Sequence, residues 1–305
     1  MIRTPLLIFL VCRGLFADEI IRVEADARNG FHWPYFLALP TSLSKPAHIL
    51  VEPNNAGRSS DDASIHENDA RRIAGARISD PSFKEIGSPI LVPAFPRPKT
   101  NWKLYTHAFD RDTLMAEEVT LRRIDLQLIA MISDAKRRLE ARGLRVRAKV
   151  FMWGYSAAGT FTSRFVAVHP RMVQAAVYGG CTVPILPIPS HNGKLLRYPI
   201  GVGDLEQLTG QKFNSRTFRK VPILIFRGDT DTNDEVAFDD GYDAVDRKLI
   251  NELFGGPPPI ARYPAIEAIY RKAGSKAEFA VETGVGHSDK RTRGALAPFF
   301  EKHRR

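Results

Sequence analysis

The run Val150-Phe151-Met152-Trp153-Gly154-Tyr155-Ser156-Ala157-Ala158-Gly159 sets an apolar stretch against a serine flanked by small residues. Its first half, residues 148–153, reads as a strand: a short apolar run without polar alternation, as expected when both faces are covered. Its second half opens a helix over 157–168 that stops near Pro170. A serine at such a joint stands on a sharp, strained turn. Bulky groups two residues to either side would strike the adjoining strand and helix. Gly154 meets this need on one side; on the other, Ala158 holds the position and Gly159 follows one place late.

Outward from this joint, strand-like and helix-like segments alternate. Strands are predicted over residues 20–26, 34–39, 47–51, 89–94, 173–178, 221–226 and 278–282. Helices are predicted over 61–77, 117–142, 243–254, 264–273 and 291–302. The 117–142 segment has the clearest helical period, through Val119, Ile124, Leu128, Ile132 and Leu139, and Gly143 is its natural stop. Strands separated by helices imply an α/β fold with a mostly parallel central sheet and helices on both faces. No repeat or low-complexity linker interrupts residues 18–305, which read as a single domain. Residues 181–220 are rich in Pro and Gly and read as an insertion, a lid or pocket wall over the carboxyl ends of the strands.

A serine hydroxyl becomes a useful nucleophile only with a base to take its proton, and the base needs a carboxylate to orient it. Two later turns supply both. Val221-Pro222-Ile223-Leu224-Ile225-Phe226 runs into Arg227-Gly228-Asp229-Thr230-Asp231, an acid-rich turn. Phe279-Ala280-Val281-Glu282 runs into Thr283-Gly284-Val285-Gly286-His287-Ser288, a glycine-rich turn that carries histidine.

Three such motifs, in the order Ser, acid, His and each at a strand end, resemble the α/β-hydrolase superfamily over nearly all of residues 20–303. Gly154–Gly159 is similar to the nucleophile elbow, with Ala158 in place of the second glycine. The resemblance implies a triad of Ser156, Asp231 and His287. Asp231 is preferred to Asp229 because the family's acid usually falls three residues after the strand-end glycine, here Gly228; Asp229 is expected to bond backbone amides, and Asp234 is the next competitor. The resemblance also implies an oxyanion hole. One donor is the Ala157 amide. The other comes from the loop after the third strand, here Glu52-Pro53-Asn54-Asn55-Ala56-Gly57, where Asn55 takes the place of the His-Gly pattern. Tyr155, His107, Leu186 and Ile188 are candidate substrate-binding residues. The segment 273–288 is also similar to the end of secreted esterases and of prolyl-oligopeptidase-type peptidases.

The resulting expectation is a serine hydrolase that cleaves carboxylic esters, small or polymeric, through an acyl-enzyme and needs no cofactor. A peptidase or amidase of the same fold is the first alternative, and a noncatalytic binding protein on the same scaffold the second. No metal is expected. Asp229-Thr230-Asp231-Thr232-Asn233-Asp234 imitates the start of a calcium loop, but the sixth position lacks glycine, Asp240 replaces the closing glutamate, and a strand leads into it.

Composition is close to that of an ordinary globular chain: of 305 residues, 44% are hydrophobic and 26% charged, so disorder is not the default expectation. The net charge of +10 favours anionic partners, but the basic residues are scattered without interleaved aromatics, so no nucleic-acid partner is expected. Residues 1–17 have the layout of a signal peptide: Arg3, an apolar run from Pro5 to Cys12, and a small residue at Ala17. The expected location is therefore secreted or periplasmic, with the cytoplasm as alternative. Cleavage there would leave Cys181 alone and exclude an intramolecular disulfide. No later segment offers a membrane span. The motifs imply no oligomeric state.

Overall fold

The computed structural model describes residues 18–55 and 57–305, so the signal-like segment 1–17 lies outside the described residues. In chain order, β1 (Glu19–Val23), β2 (Tyr35–Leu39) and β3 (Leu50–Val51) precede α1 (Ala63–Ser79), α2 (Pro81–Ile86) and β4 (Ile90–Pro93). Then come α3 (Arg111–Met115), α4 (Ile124–Ala141), β5 (Val150–Tyr155), α5 (Ala157–Val168) and β6 (Val173–Gly179). The proline-rich excursion carries a small ribbon, β7 (Ser190–His191) and β8 (Lys194–Leu195), with α6 (Leu205–Thr209) and α7 (Ser215–Phe218). The chain closes with β9 (Ile223–Gly228), α8 (Ala244–Phe254), α9 (Tyr263–Lys272), β10 (Ala277–Glu282) and α10 (Lys290–Lys302).

Eight strands form one sheet in the order β1-β2-β4-β3-β5-β6-β9-β10. The β1/β2 and β2/β4 pairs are antiparallel and all the others parallel. Parallel strands place their carboxyl ends on one edge, which brings the ends of β3, β5, β9 and β10 together.

Each face of the sheet is buried. Val150 and Met152 of β5 point into a core shared with α4, α5, α8 and α9. Phe151 and Trp153, on the opposite face, pack with α1, α2 and α10. This alternation explains why the strand reads as continuously apolar.

Several predicted bounds shift for visible reasons. Helix α4 starts at Ile124, not at residue 117, because Arg123 adopts φ 51°, a left-handed conformation that a helix cannot pass through. The first strand stops at Val23, because Asp26 turns the chain and accepts from the Asn29 amide. In the third, only Leu50 and Val51 join the ladder; Ala47 makes an isolated bridge to Val146. Among the described residues, no helix is long and apolar enough to cross a membrane.

Candidate active site

Ser156 is the single residue between β5 and α5, with φ 59° and ψ −132°. A non-glycine residue there is strained, and strain of this kind persists only where the surroundings impose it. The packing shows what does. A Cβ on Gly154 would lie 2.1 Å from the Ala158 carbonyl oxygen. A Cβ on Gly159 would lie 2.4 Å from the Gly179 carbonyl oxygen on β6. The glycine that arrives one place late is thus required where it stands, while Ala158 lines the cleft beside Ser156. Gly180, at φ 67°, closes the turn from below: its missing Cβ would sit 2.8 Å from the Tyr155 ring.

The acid and histidine turns are fastened together. The Asp229 and Thr230 amides donate to the Glu282 and Val285 carbonyls at 3.1 and 3.2 Å. Asp229 Oδ1 accepts from the Gly284 amide at 2.7 Å, the backbone role expected of it. A Cβ on Gly228 would lie 2.0 Å from the Val285 carbonyl oxygen, so only glycine admits this approach. The result is a contact of 3.0 Å between Asp231 Oδ2 and His287 Nδ1.

Asp231 is 1% exposed. Burial alone would raise its pKa, but the His287 hydrogen bond, the Arg227 charge and the Asn233 amide outweigh it and hold the carboxyl below its usual range. Arg227 is wholly buried, with Nη2 3.3 Å from Asp231 Oδ2. It also donates to the Cys181 carbonyl at 2.9 Å and to the Asn233 carbonyl at 2.6 Å. Asp234 is engaged elsewhere, with Arg262 at 2.9 Å. Each acid of the calcium-like run therefore has a protein partner, and no group of metal-ligating side chains assembles among the described residues.

Ser156 and His287 line one cleft of about 330 Å³, together with Glu52, Pro53, Asn55, Tyr155 and Ala158. The Tyr155 ring lies 4.8 Å from the imidazole, centroid to centroid. Among the described residues, no hydrogen bond joins Ser156 Oγ to His287. Nε2 instead faces the Asn233 side-chain amide at 3.4 Å, a long contact. Ala157 opens α5, so its N–H has no partner within the helix. Asn55 forms a tight turn, its Oδ1 accepting from Gly57 at 3.0 Å.

Three expected substrate residues lie elsewhere. His107 is 1% exposed, and its ring meets the Phe95 carbonyl at 2.8 Å and the Asn54 amide at 3.1 Å. Burial pushes its pKa down to about 3, so it serves as a neutral pin beneath the loop after β3. Leu186 is fully buried in the large core, and Ile188 packs against the same core. The excursion folds inward there, with the Ile185 amide donating to Ser163 Oγ on α5 at 3.0 Å.

Sequence reasoning missed Arg227 and a chain of charges along the cleft wall. Arg77 of α1 grips Glu52 through two bonds of 2.8 Å and approaches Asp289 at 3.7 Å. Arg293 holds Asp289 in turn at 2.9 Å. The available signal was positional: Glu52, Arg227 and Asp289 each follow or end an apolar strand or the histidine turn.

No protein-family model matches the sequence, and no curated protein matches it. Solved structures do. A poly(aspartic acid) hydrolase-1 from Sphingomonas sp. KT-1 superposes with a TM-score of 0.58 at 16% identity, covering 93% of this chain and 97% of that one. A poly(3-hydroxybutyrate) depolymerase, LpqC, from Bordetella parapertussis gives 0.56 at 15% identity, covering 94% and 89%. A ferulic acid esterase gives 0.50 at 14% identity, covering 93% and 96%. With the strand order and the turn at Ser156 described above, these likenesses settle the architecture: the chain has the α/β-hydrolase fold.

Proposed function

We propose that this protein is a serine hydrolase of carboxylic esters, small or polymeric, with Ser156 as nucleophile, His287 as base and Asp231 as the orienting acid. The observation that carries this reading is the buried Asp231 held 3.0 Å from Nδ1 of His287, whose ring lines the same cleft as strained Ser156. With Nδ1–H donated to Asp231, Nε2 keeps its lone pair and can accept a proton in place of the long Asn233 contact.

In the reaction, Ser156 Oγ attacks the ester carbonyl carbon while its proton passes to His287 Nε2. The Asn233 amide must give up Nε2 for this to happen. The carbonyl oxygen becomes an oxyanion, for which the Ala157 amide and an amide at Asn55 are the proposed donors. Collapse expels the alkoxide, which takes the proton from His287. Water, deprotonated by the same imidazole, then releases the acid and restores Ser156.

The test is labelling by a fluorophosphonate probe, followed by a panel of p-nitrophenyl esters and aminoacyl amides. Labelling with ester turnover supports the reading. Turnover of amides alone would replace it with a peptidase, and an unlabelled, inactive protein with a binding protein.

The layout of residues 1–17 supports export as part of this reading. Intact-mass measurement on protein from its native host is expected to place the first residue near Asp18. A mass that still includes residues 1–17 would remove the export claim.

A further inference from the structure

We propose that the ester substrate carries a carboxylate close to the bond that Ser156 attacks, and that Arg72 and Arg77 read it. This inference rests on the ester-hydrolase reading.

The argument is one of unfilled hydrogen-bonding capacity. The cleft that holds Ser156 is lined by two acids, Glu52 and Asp289, and two arginines, Arg72 and Arg77. Both acids are already engaged. Each Glu52 oxygen accepts from Arg77 at 2.8 Å. Each Asp289 oxygen accepts from Arg293 at 2.9 Å. The arginines are not saturated. Arg77 spends Nε and Nη2 on Glu52, which leaves Nη1 without a protein hydrogen bond among the described residues. Arg72 makes a single long contact of 3.4 Å to Asp69, an acid it shares with Arg58 at 3.3 Å. What remains open on this wall is therefore guanidinium N–H.

A neutral alkyl group placed there would strip water from these donors and return nothing. A carboxylate would return charge-assisted bonds in a geometry that suits the guanidinium fork. The two arginines divide the work. Arg77 is 13% exposed, so its donor acts at low dielectric. Arg72 is 67% exposed and acts through a field that salt screens. The overall charge of +10 draws anionic substrates in the same sense.

Two matched pairs test this. Mono-4-nitrophenyl adipate against 4-nitrophenyl hexanoate places the anion on the acyl side. 4-Carboxyphenyl against 4-carbamoylphenyl hexanoate places it on the alcohol side. For at least one pair, the parent enzyme should prefer the anion by about fivefold or more in kcat/KM at low salt, the scale of one charge-assisted contact at a partly exposed site. The preference should fall with added salt, weaken in Arg72→Ala and weaken further in Arg72→Glu, with Arg77 supplying the remainder. Arg77 is left intact, because its loss would strand the buried Glu52 charge. Preference ratios near one in both pairs, or ratios that Arg72→Glu leaves unmoved, overturn the inference while neutral-ester turnover keeps the esterase reading standing. No hydrolysis of any ester by the parent overturns both.

Discussion

Ser156→Ala is expected to abolish fluorophosphonate labelling and to lower ester turnover by a factor on the order of 10⁶, the scale seen when a triad serine is removed. The fold should survive intact. Ser156 already carries the Cβ that makes φ 59° costly, so alanine adds no new atom to the strained turn. Among the described residues its Oγ makes no hydrogen bond, so nothing buried is left unpaired. A thermal melt within a few degrees of the parent, together with lost labelling, is the predicted combination. Labelling that persists in the variant would place the nucleophile elsewhere.

The second large effect separates two neighbouring acids. Asp231→Asn should cost on the order of 10⁴-fold in turnover, because an amide facing Nδ1 favours the wrong imidazole tautomer. Asp229→Asn should cost less than about tenfold, since an amide oxygen can still accept from the Gly284 N–H and a surface acid of this kind contributes little. Asp231→Asn also removes the charge beside wholly buried Arg227, so some stability should be lost with it. Measuring kcat at a temperature well below both melting points keeps the two losses apart. Equal kinetic losses at the two positions, or a larger one at Asp229, would overturn the assignment.

The parts of this molecule that could be read from its sequence are those whose cause is local. The β5–α5 joint is one. Gly154 and Gly159 stand where backbone atoms approach within 2.1 and 2.4 Å of a missing Cβ, and such exclusions leave a mark in one dimension. Gly228 marks the acid turn in the same way, whereas Gly284 marks the histidine turn by its left-handed φ of 72°, with open space where a Cβ would stand. The start of α4 was not readable, because the apolar period continues through Val119 and Leu121 while Arg123 turns the chain by its own φ. Leu186 and Ile188 show a second kind of failure. Apolar side chains announce that they will be covered, not by what, and a proline-rich excursion can fold onto α5 as readily as over the cleft. His107 shows a third: its residue type suggested chemistry, but the direction of its ring is set by Asn54 and Phe95, distant in sequence. The pairing of Glu52, Arg77 and Asp289 was unreadable for the same reason: position flags the two acids, but the chain joins β3, α1 and the turn after β10 only in the folded state.

The fastening of the Asp229–Asp231 turn to the Gly284–Val285 turn has a consequence for anyone who would transplant this site. Asp231 and His287 stand on two turns stitched together by backbone bonds of 3.1 and 3.2 Å and by the Asp229–Gly284 clasp. Ser156 stands at a separate joint, between β5 and α5, and reaches those turns only through β6 of the same sheet. Under the proposed triad, a shift between those turns and the serine joint would leave the Asp231–His287 distance set by these bonds and would change the gap across which the serine proton passes. A graft onto a foreign scaffold must therefore carry residues 227–234 and 282–289 as a single cassette with Gly228 intact. The alignment left to engineer is then one separation, between that cassette and the serine joint, instead of three independent positions.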